Sequence, residues 1–187
     1  MCATYEALCT HGYADLTMQD IADESTKSKA ALHYHYDSKH DLLCAFLEYL
    51  YEQFVERVAD SDAETPHDRL LALVDVVLAN SADDPEGFET ALLEIRAQAP
   101  YEPGFRERLV TFETYLLGRF TDTLEAGVED GTFDDDIDPE DTARFLVTVL
   151  TGAATERVTV GRSVECTQRM LREYVETHLL TEQGATA

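Results

Sequence analysis

Lys27, Lys29 and Lys39 are the only lysines in a chain of 187 residues whose formal net charge is −24. Ammonium groups are compact, strongly hydrated point charges suited to phosphate oxygens, and Ala30, Ala31, His33 and Tyr34 are interleaved with them. On a helix starting at Ser28, residues Lys29, Ala30, His33 and Tyr34 fall within about 140° of one another, because each residue turns by about 100°. This face combines a cation, a small residue that permits close approach, an imidazole and a phenol, a set that suits a groove wide enough for a helix. Ala31, Leu32, His35 and Tyr36 are expected to turn towards the core. The chemistry implied is non-covalent recognition of phosphates and base edges.

Lys39 follows Ser38 at the start of the next expected helix, an unfavourable place for a cation in the field of the helix dipole. A phosphate at that end would be held by backbone N–H groups, by the dipole and by the ammonium together. Thr17, at the start of an earlier helix, is placed to hold another. Catalytic constellations do not appear. There is no phosphate loop, nucleotide fingerprint, nucleophile elbow or paired zinc motif. The one Glu-x-x-His, Glu64 to His67, contains Pro66 and lies across a loop, so it does not build a carboxylate-bridged metal site. His40 and Cys44 share an i, i+4 spacing, but no further ligand has suitable spacing for zinc. No metal, cofactor or enzymatic activity is expected.

The elements that position these residues are helices. Apolar residues recur at i, i+3, i+4 over 39–59 (Leu42, Leu43, Phe46, Leu47, Leu50, Phe54, Val58) and over 105–128 (Phe105, Leu109, Phe112, Leu116, Phe120, Leu124, Val128). Thr65-Pro66, Asp84-Pro85 and Asp138-Pro139 each set a capping side chain before a proline at the first helical position. Thr17 with Asp20, and Ser38 with Asp41, have capping-box spacing. No stretch alternates long enough for a strand. The fold class is therefore all-α, with about nine helices. Three short ones, at about 1–11, 17–24 and 28–35, form a helix-turn-helix arrangement. A longer helix over 38–59 leads into a bundle whose last two helices run over about 139–160 and 163–180.

Composition sets the surroundings. The acids are spread among apolar residues, as on folded helices with acidic outer faces. Self-repulsion at such a charge is collapsed by salt, since the Debye length is about 3 Å near 1 M. Few lysines and no Trp are similar to the composition of proteins from halophilic microbes. Cys2, Cys9, Cys44 and Cys166 show no paired spacing, and no apolar run reaches the ~18 residues of a membrane span. A reduced, cytoplasmic location and no membrane partner are expected.

Gly12-Tyr13, Thr17-Met18-Gln19-Asp20-Ile21-Ala22, Ser28-Lys29-Ala30-Ala31-Leu32-His33-Tyr34-His35-Tyr36 and Ser38-Lys39 with Leu42-Leu43 together resemble the DNA-binding domain of TetR-type transcriptional regulators, from residue 3 to about 50. Where the family usually shows Ala-Gly-Val at the turn, Ser25-Thr26-Lys27 stands here, and His33 replaces the usual Tyr. The resemblance implies a DNA-binding head over 1–45 and an effector-binding, dimerising body over 46–187. It also implies phosphate contacts from Thr17, Tyr34 and Lys39, with Lys27 as a further candidate, and approach to base edges by Lys29, Ala30, Ala31 and His33.

The same resemblance suggests a small-molecule effector, which Phe88, Leu92, Arg96, Phe105, Phe112 and Tyr115 would line, with Arg96 as an anion anchor. Spacing alone would make those aromatics core. By the same analogy the last two helices meet a second copy in a homodimer that binds a pseudopalindromic double-stranded operator and represses until the effector arrives. The alternative is an acidic helical interaction or scaffold protein that keeps the fold without binding DNA, since residues 1–43 carry three lysines against seven acids.

Overall fold

A computed structural model describes residues 1–60, 63–78 and 88–181. Among them nine α-helices follow one another: α1 (Cys2–Asp15), α2 (Met18–Asp23), α3 (Lys29–His35), α4 (Lys39–Asp60), α5 (Pro66–Leu78), α6 (Phe88–Gln98), α7 (Pro103–Asp130), α8 (Pro139–Val160) and α9 (Glu165–Tyr174). No strand occurs among the described residues, in agreement with the all-α expectation. The expected cap at Asp84-Pro85 lies outside them.

The helix starts follow from local chemistry. Thr17 caps α2 in a complete capping box with Asp20. Ser28 accepts a hydrogen bond from Ala31 N at 3.2 Å, and Ser38 one from Asp41 N at 3.1 Å. Thr65 Oγ1 accepts from Asp68 N at 3.1 Å ahead of Pro66, and Asp138 Oδ1 from Asp141 N at 3.0 Å ahead of Pro139. Each such cap satisfies a backbone donor left open by the first turn and contributes about 1 kcal/mol.

The chain divides into two compact units: Met1–Phe54 with Ser81–Phe112, and Val55–Asn80 with Glu113–Ala187. In the first, α1, α2, the N-terminal part of α4, α6 and the start of α7 enclose Leu8, Leu16, Ile21, Leu43, Phe46, Ile95 and Phe105. Phe46 and Phe105 are fully enclosed, and burying each contributes about 1.5–3 kcal/mol. Helix α6 packs along α1. At Gly12 the backbone leaves the helix with φ 67° and ψ 171°, a region essentially reserved for glycine. That break turns Tyr13 out of the regular ladder.

In the second unit α5 packs on α8 and α9, burying Leu70, Leu73, Val74, Leu146, Leu150 and Leu171. Asp75 accepts from Gln168 Nε2 at 2.7 Å and pairs with Arg172, and Arg157 Nη1 donates to the last carbonyl of α5, Leu78 O, at 2.9 Å. The last helix was expected to run unbroken over 163–180, and it does not. Regular α geometry ends at Tyr174, and Val175–Leu179 form a π-helical turn closed by Leu180 N on Val175 O at 3.2 Å. The turn leads directly into a tie, where Phe133 and Leu180 form an isolated bridge and Asp134 N donates to Leu179 O at 2.8 Å.

Candidate nucleic-acid interface

The turn between α2 and α3 replaces a left-handed residue with a hydroxyl. Ser25 Oγ accepts from Lys27 N at 3.0 Å, and among the described residues none other than glycine has a positive φ. Thr26 thus stands where the family usually has glycine without backbone strain. Beyond the turn, Lys27, Lys29, Ala30, His33 and Tyr34 are all exposed, Tyr34 to 85%. Ala31 and Leu32 are half-buried, and Leu32 packs against the core of the first unit. His35, expected to point inward, is exposed. It sits at the last position of a seven-residue helix, where a polar ring favours the carbonyl end and water, and it meets Tyr34 edge-on at 5.1 Å.

Among the described residues neither Lys27 nor Lys29 pairs with a carboxylate within the chain, although acids outnumber bases. Two free ammonium groups therefore flank an exposed helix start. Thr17 is committed to its cap, where Oγ1 accepts from Gln19 N and Asp20 N and donates to Asp20 Oδ2 at 2.7 Å. Those hydrogen bonds hold the Asp20 carboxyl below its ordinary pKa.

Lys39 is placed differently. Its Nζ donates to Tyr13 O at 2.9 Å and lies 4.8 Å from the centre of the Tyr13 ring, a cation–π contact. Tyr13 N in turn donates to Glu94 Oε2 of α6 at 2.6 Å. Burial first, then the Glu102 carboxylate, raises the Tyr13 pKa. Nothing in the sequence pattern marked Glu94, which is one of two acids on α6 in a chain that has 38.

His40 and Cys44 do meet, with Nε2 3.4 Å from Sγ, and Gly104 lets them do so, since a Cβ there would lie 2.7 Å from Nε2. Glu102 approaches the other ring nitrogen, Nδ1, at 3.7 Å. Ligands on opposite edges of one imidazole do not converge on a single ion. Burial raises the Cys44 pKa, with Arg108 opposing it.

Of the residues expected to line an effector site, Phe105 is a core residue, edge-on to Tyr13 at 6.0 Å and tilted against His40 at 4.5 Å. Phe112 is half-buried and packs on Phe54 at 4.7 Å. Leu92 and Arg96 are half-buried on α6, and Tyr115 is half-buried on the part of α7 that belongs to the second unit. The Phe88 side chain lies outside the described residues.

Two family models match the chain: bacterial regulatory proteins of the tetR family over residues 2–46, and the C-terminal region of BetI-type transcriptional repressors over 66–180. The chain belongs to the TetR family of transcriptional regulators. A TetR transcription regulator from Haloarcula marismortui is 41% identical with a TM-score of 0.88, over 96% of this chain and 95% of that one. The HTH-type transcriptional repressor AcnR of Corynebacterium glutamicum is 28% identical over 83% of this chain and 77% of its own length. A transcriptional regulator from Saccharomonospora viridis, solved in complex with choline, shares the fold at 22% identity and a TM-score of 0.84, over 96% of this chain and 95% of that one. This TetR-family chain is thus a transcriptional repressor by kinship, of a family whose members generally bind DNA and are not enzymes. No described helix is long and apolar enough to cross a membrane.

Proposed function

We propose that this protein represses transcription by binding a pseudopalindromic operator as a homodimer, and that a small molecule bound by the body releases it. The observation that carries the DNA reading is the pair of unpaired ammonium groups, Lys27 and Lys29, beside the exposed Ala30, His33 and Tyr34 of α3. Lys39, at the start of α4, would hold a phosphate on one side; Thr17, at the start of α2, would hold one on the other by turning its hydroxyl proton from Asp20 to the DNA, and Ala31 would support the base-facing surface from beneath. The DNA-binding head is assigned to 1–45 and the effector-binding, dimerising body to 46–187.

Dimerisation through α8 and α9 is supported by apolar side chains left in water, Phe145 at 47% and Met170 at 52% exposure, and by Gly152, beside which a Cβ would meet nothing within 4 Å. Such a small exposed residue permits close approach by a second copy. An effector is supported by kinship, since relatives are solved with choline and, for the Bacillus subtilis FadR, with stearoyl-CoA. Binding energy for a second site must come from its different affinity for the two states of the dimer. The cytoplasm proposed for this chain is salt-rich, where −24 charges are screened.

Light scattering combined with DNA titration tests this. Phe145→Asp and Gly152→Arg are expected to yield monomers that lose at least tenfold in operator affinity, because each half-site then binds alone. A variant that stays dimeric, or a monomer with full affinity, contradicts the assigned interface. A dimer with no DNA affinity at any salt favours the scaffold reading.

A further inference from the structure

Arginine side chains in the first unit are treated unequally. Arg108 Nε donates to Cys44 O at 3.1 Å, its Nη1 to Gly104 O at 3.0 Å, and its Nη2 pairs with Glu48 at 2.6 Å. Arg96, half-buried on α6, has no hydrogen-bonding or ionic partner among the described residues, in a chain with 38 acids. Its neighbours on the helix surface, Leu92 four residues before and Ala99 three after, are partly buried apolar residues packed against the core that contains Ile95 and Phe105. Desolvation lowers the pKa of Arg96, in line with its half-buried position. Glu94, two positions away and therefore about 200° around the helix, is engaged with Tyr13 and cannot serve it.

A half-buried cation without a protein partner leaves its donors open to an external anion. The planar fork of the guanidinium matches a carboxylate in two parallel hydrogen bonds. We infer that Arg96 is the anchor for an organic carboxylate with an apolar body, the head on the guanidinium and the body along the Leu92–Ala99 side of α6. This inference rests on the effector reading above and names its ligand class. The same helix carries Glu94 on its other side, so a ligand seated on Arg96 acts on the element that holds Tyr13.

The test uses the full-length dimer, with hexanoate and benzoate as probes, hexanol and benzyl alcohol as their uncharged counterparts, and choline as a cation. Thermal melts and operator anisotropy are recorded for the wild type, Arg96→Met and Arg119→Gln. Arg119 is the control because it is an arginine outside α6 whose Nε is enclosed without a partner. Three results are expected: carboxylates, and not the alcohols or choline, raise the wild-type melting temperature; Arg96→Met weakens that binding about 10- to 100-fold, the usual loss for a charge-assisted contact; and ligand-free Arg96→Met melts no lower than the wild type, whereas removing a structural arginine lowers it.

No stabilisation by either carboxylate overturns the inference, as does a response that survives Arg96→Met or disappears only in Arg119→Gln. Operator release by choline or the alcohols, undiminished in Arg96→Met, overturns the anionic class and leaves the effector reading standing. Carboxylate binding through Arg96 with unchanged operator affinity upholds the site and overturns its role as the releasing effector.

Discussion

Glu94 Oε2 accepts a hydrogen bond from Tyr13 N at 2.6 Å, across 81 positions of sequence. Tyr13 has been turned out of α1 by Gly12, and the position of Gly12 also depends on the carboxylate, since a Cβ there would lie 3.1 Å from Glu94 Oε2. On its other side Tyr13 accepts from Lys39 Nζ. Helix α6 is thereby joined through one residue of α1 to the start of α4, and the ammonium proposed for phosphate contact is held by the same residue.

Glu94→Gln keeps the shape of the acceptor and loses its charge, and Glu94→Ala leaves the Tyr13 N–H without that partner. The alanine variant is expected to lose about 1.5 kcal/mol in urea unfolding, the lower part of the range for charge-assisted hydrogen bonds because Glu94 is half-exposed. Gly12→Ala, forced into a glycine-only backbone region, is expected to lose about 1–3 kcal/mol. Stability equal to wild type in both variants would remove the contact from the account.

The Thr17–Asp20 box makes a prediction about acid. The folded Asp20 carboxyl titrates below its unfolded value of 3.8 because Thr17 donates to it through Oγ1 and the backbone. A depressed carboxyl contributes stability above the unfolded pKa and loses it as pH falls through the folded one. Thr17→Val is therefore expected to be less stable than the wild type at pH 6, with the gap narrowing below about pH 4 as Asp20 takes up its proton. A gap that is constant with pH would show that the box contributes nothing through charge.

Cys44 differs from the other thiols in accessibility and in charge. It is buried, while Cys2 and Cys166 are exposed, and desolvation raises its pKa so that little thiolate forms at neutral pH. Mass spectrometry of iodoacetamide-treated native protein is expected to find Cys2 and Cys166 alkylated well before Cys44. Equal rates would mean that the His40–Cys44 pair opens readily, or that His40 activates the thiol.

Local chemistry made much of the fold legible. Thr17, Ser38, Thr65 and Asp138 announce helix starts because a cap is made between residues three apart, and Leu42 to Val58 announce α4 because its buried stripe follows the helical period. The lysine-bearing face of α3 was legible for the same reason. What escaped depends on contacts distant in sequence. The π-helical turn after Tyr174 adjoins the Phe133–Leu180 bridge, a contact between distant positions, and Glu94 became special only when α6 lay along α1. His35 misled because periodicity assigns a face without knowing where a short helix ends. The aromatic residues of the body carry the ambiguity of their type: Phe105 packs in the core against Tyr13, and helical spacing is the same for a core residue and for one that lines a ligand site.

The central claim is that separately placed cations, in a head with an excess of acids, hold DNA. Fluorescence anisotropy of the dimer on duplex DNA from upstream of its own gene, across a series of KCl concentrations, tests it most directly, with Lys29→Ala, Lys39→Ala and Tyr34→Ala beside the wild type. The wild-type log–log slope is expected to be about −0.9 for each phosphate neutralised. Each lysine variant is expected to reduce the slope's magnitude by about 1 and to weaken binding, with circular dichroism confirming that the Lys39 variant remains folded. Tyr34→Ala is expected to weaken binding with little change of slope. Affinity and slope unchanged in all three variants, or no binding at any salt, would contradict the account.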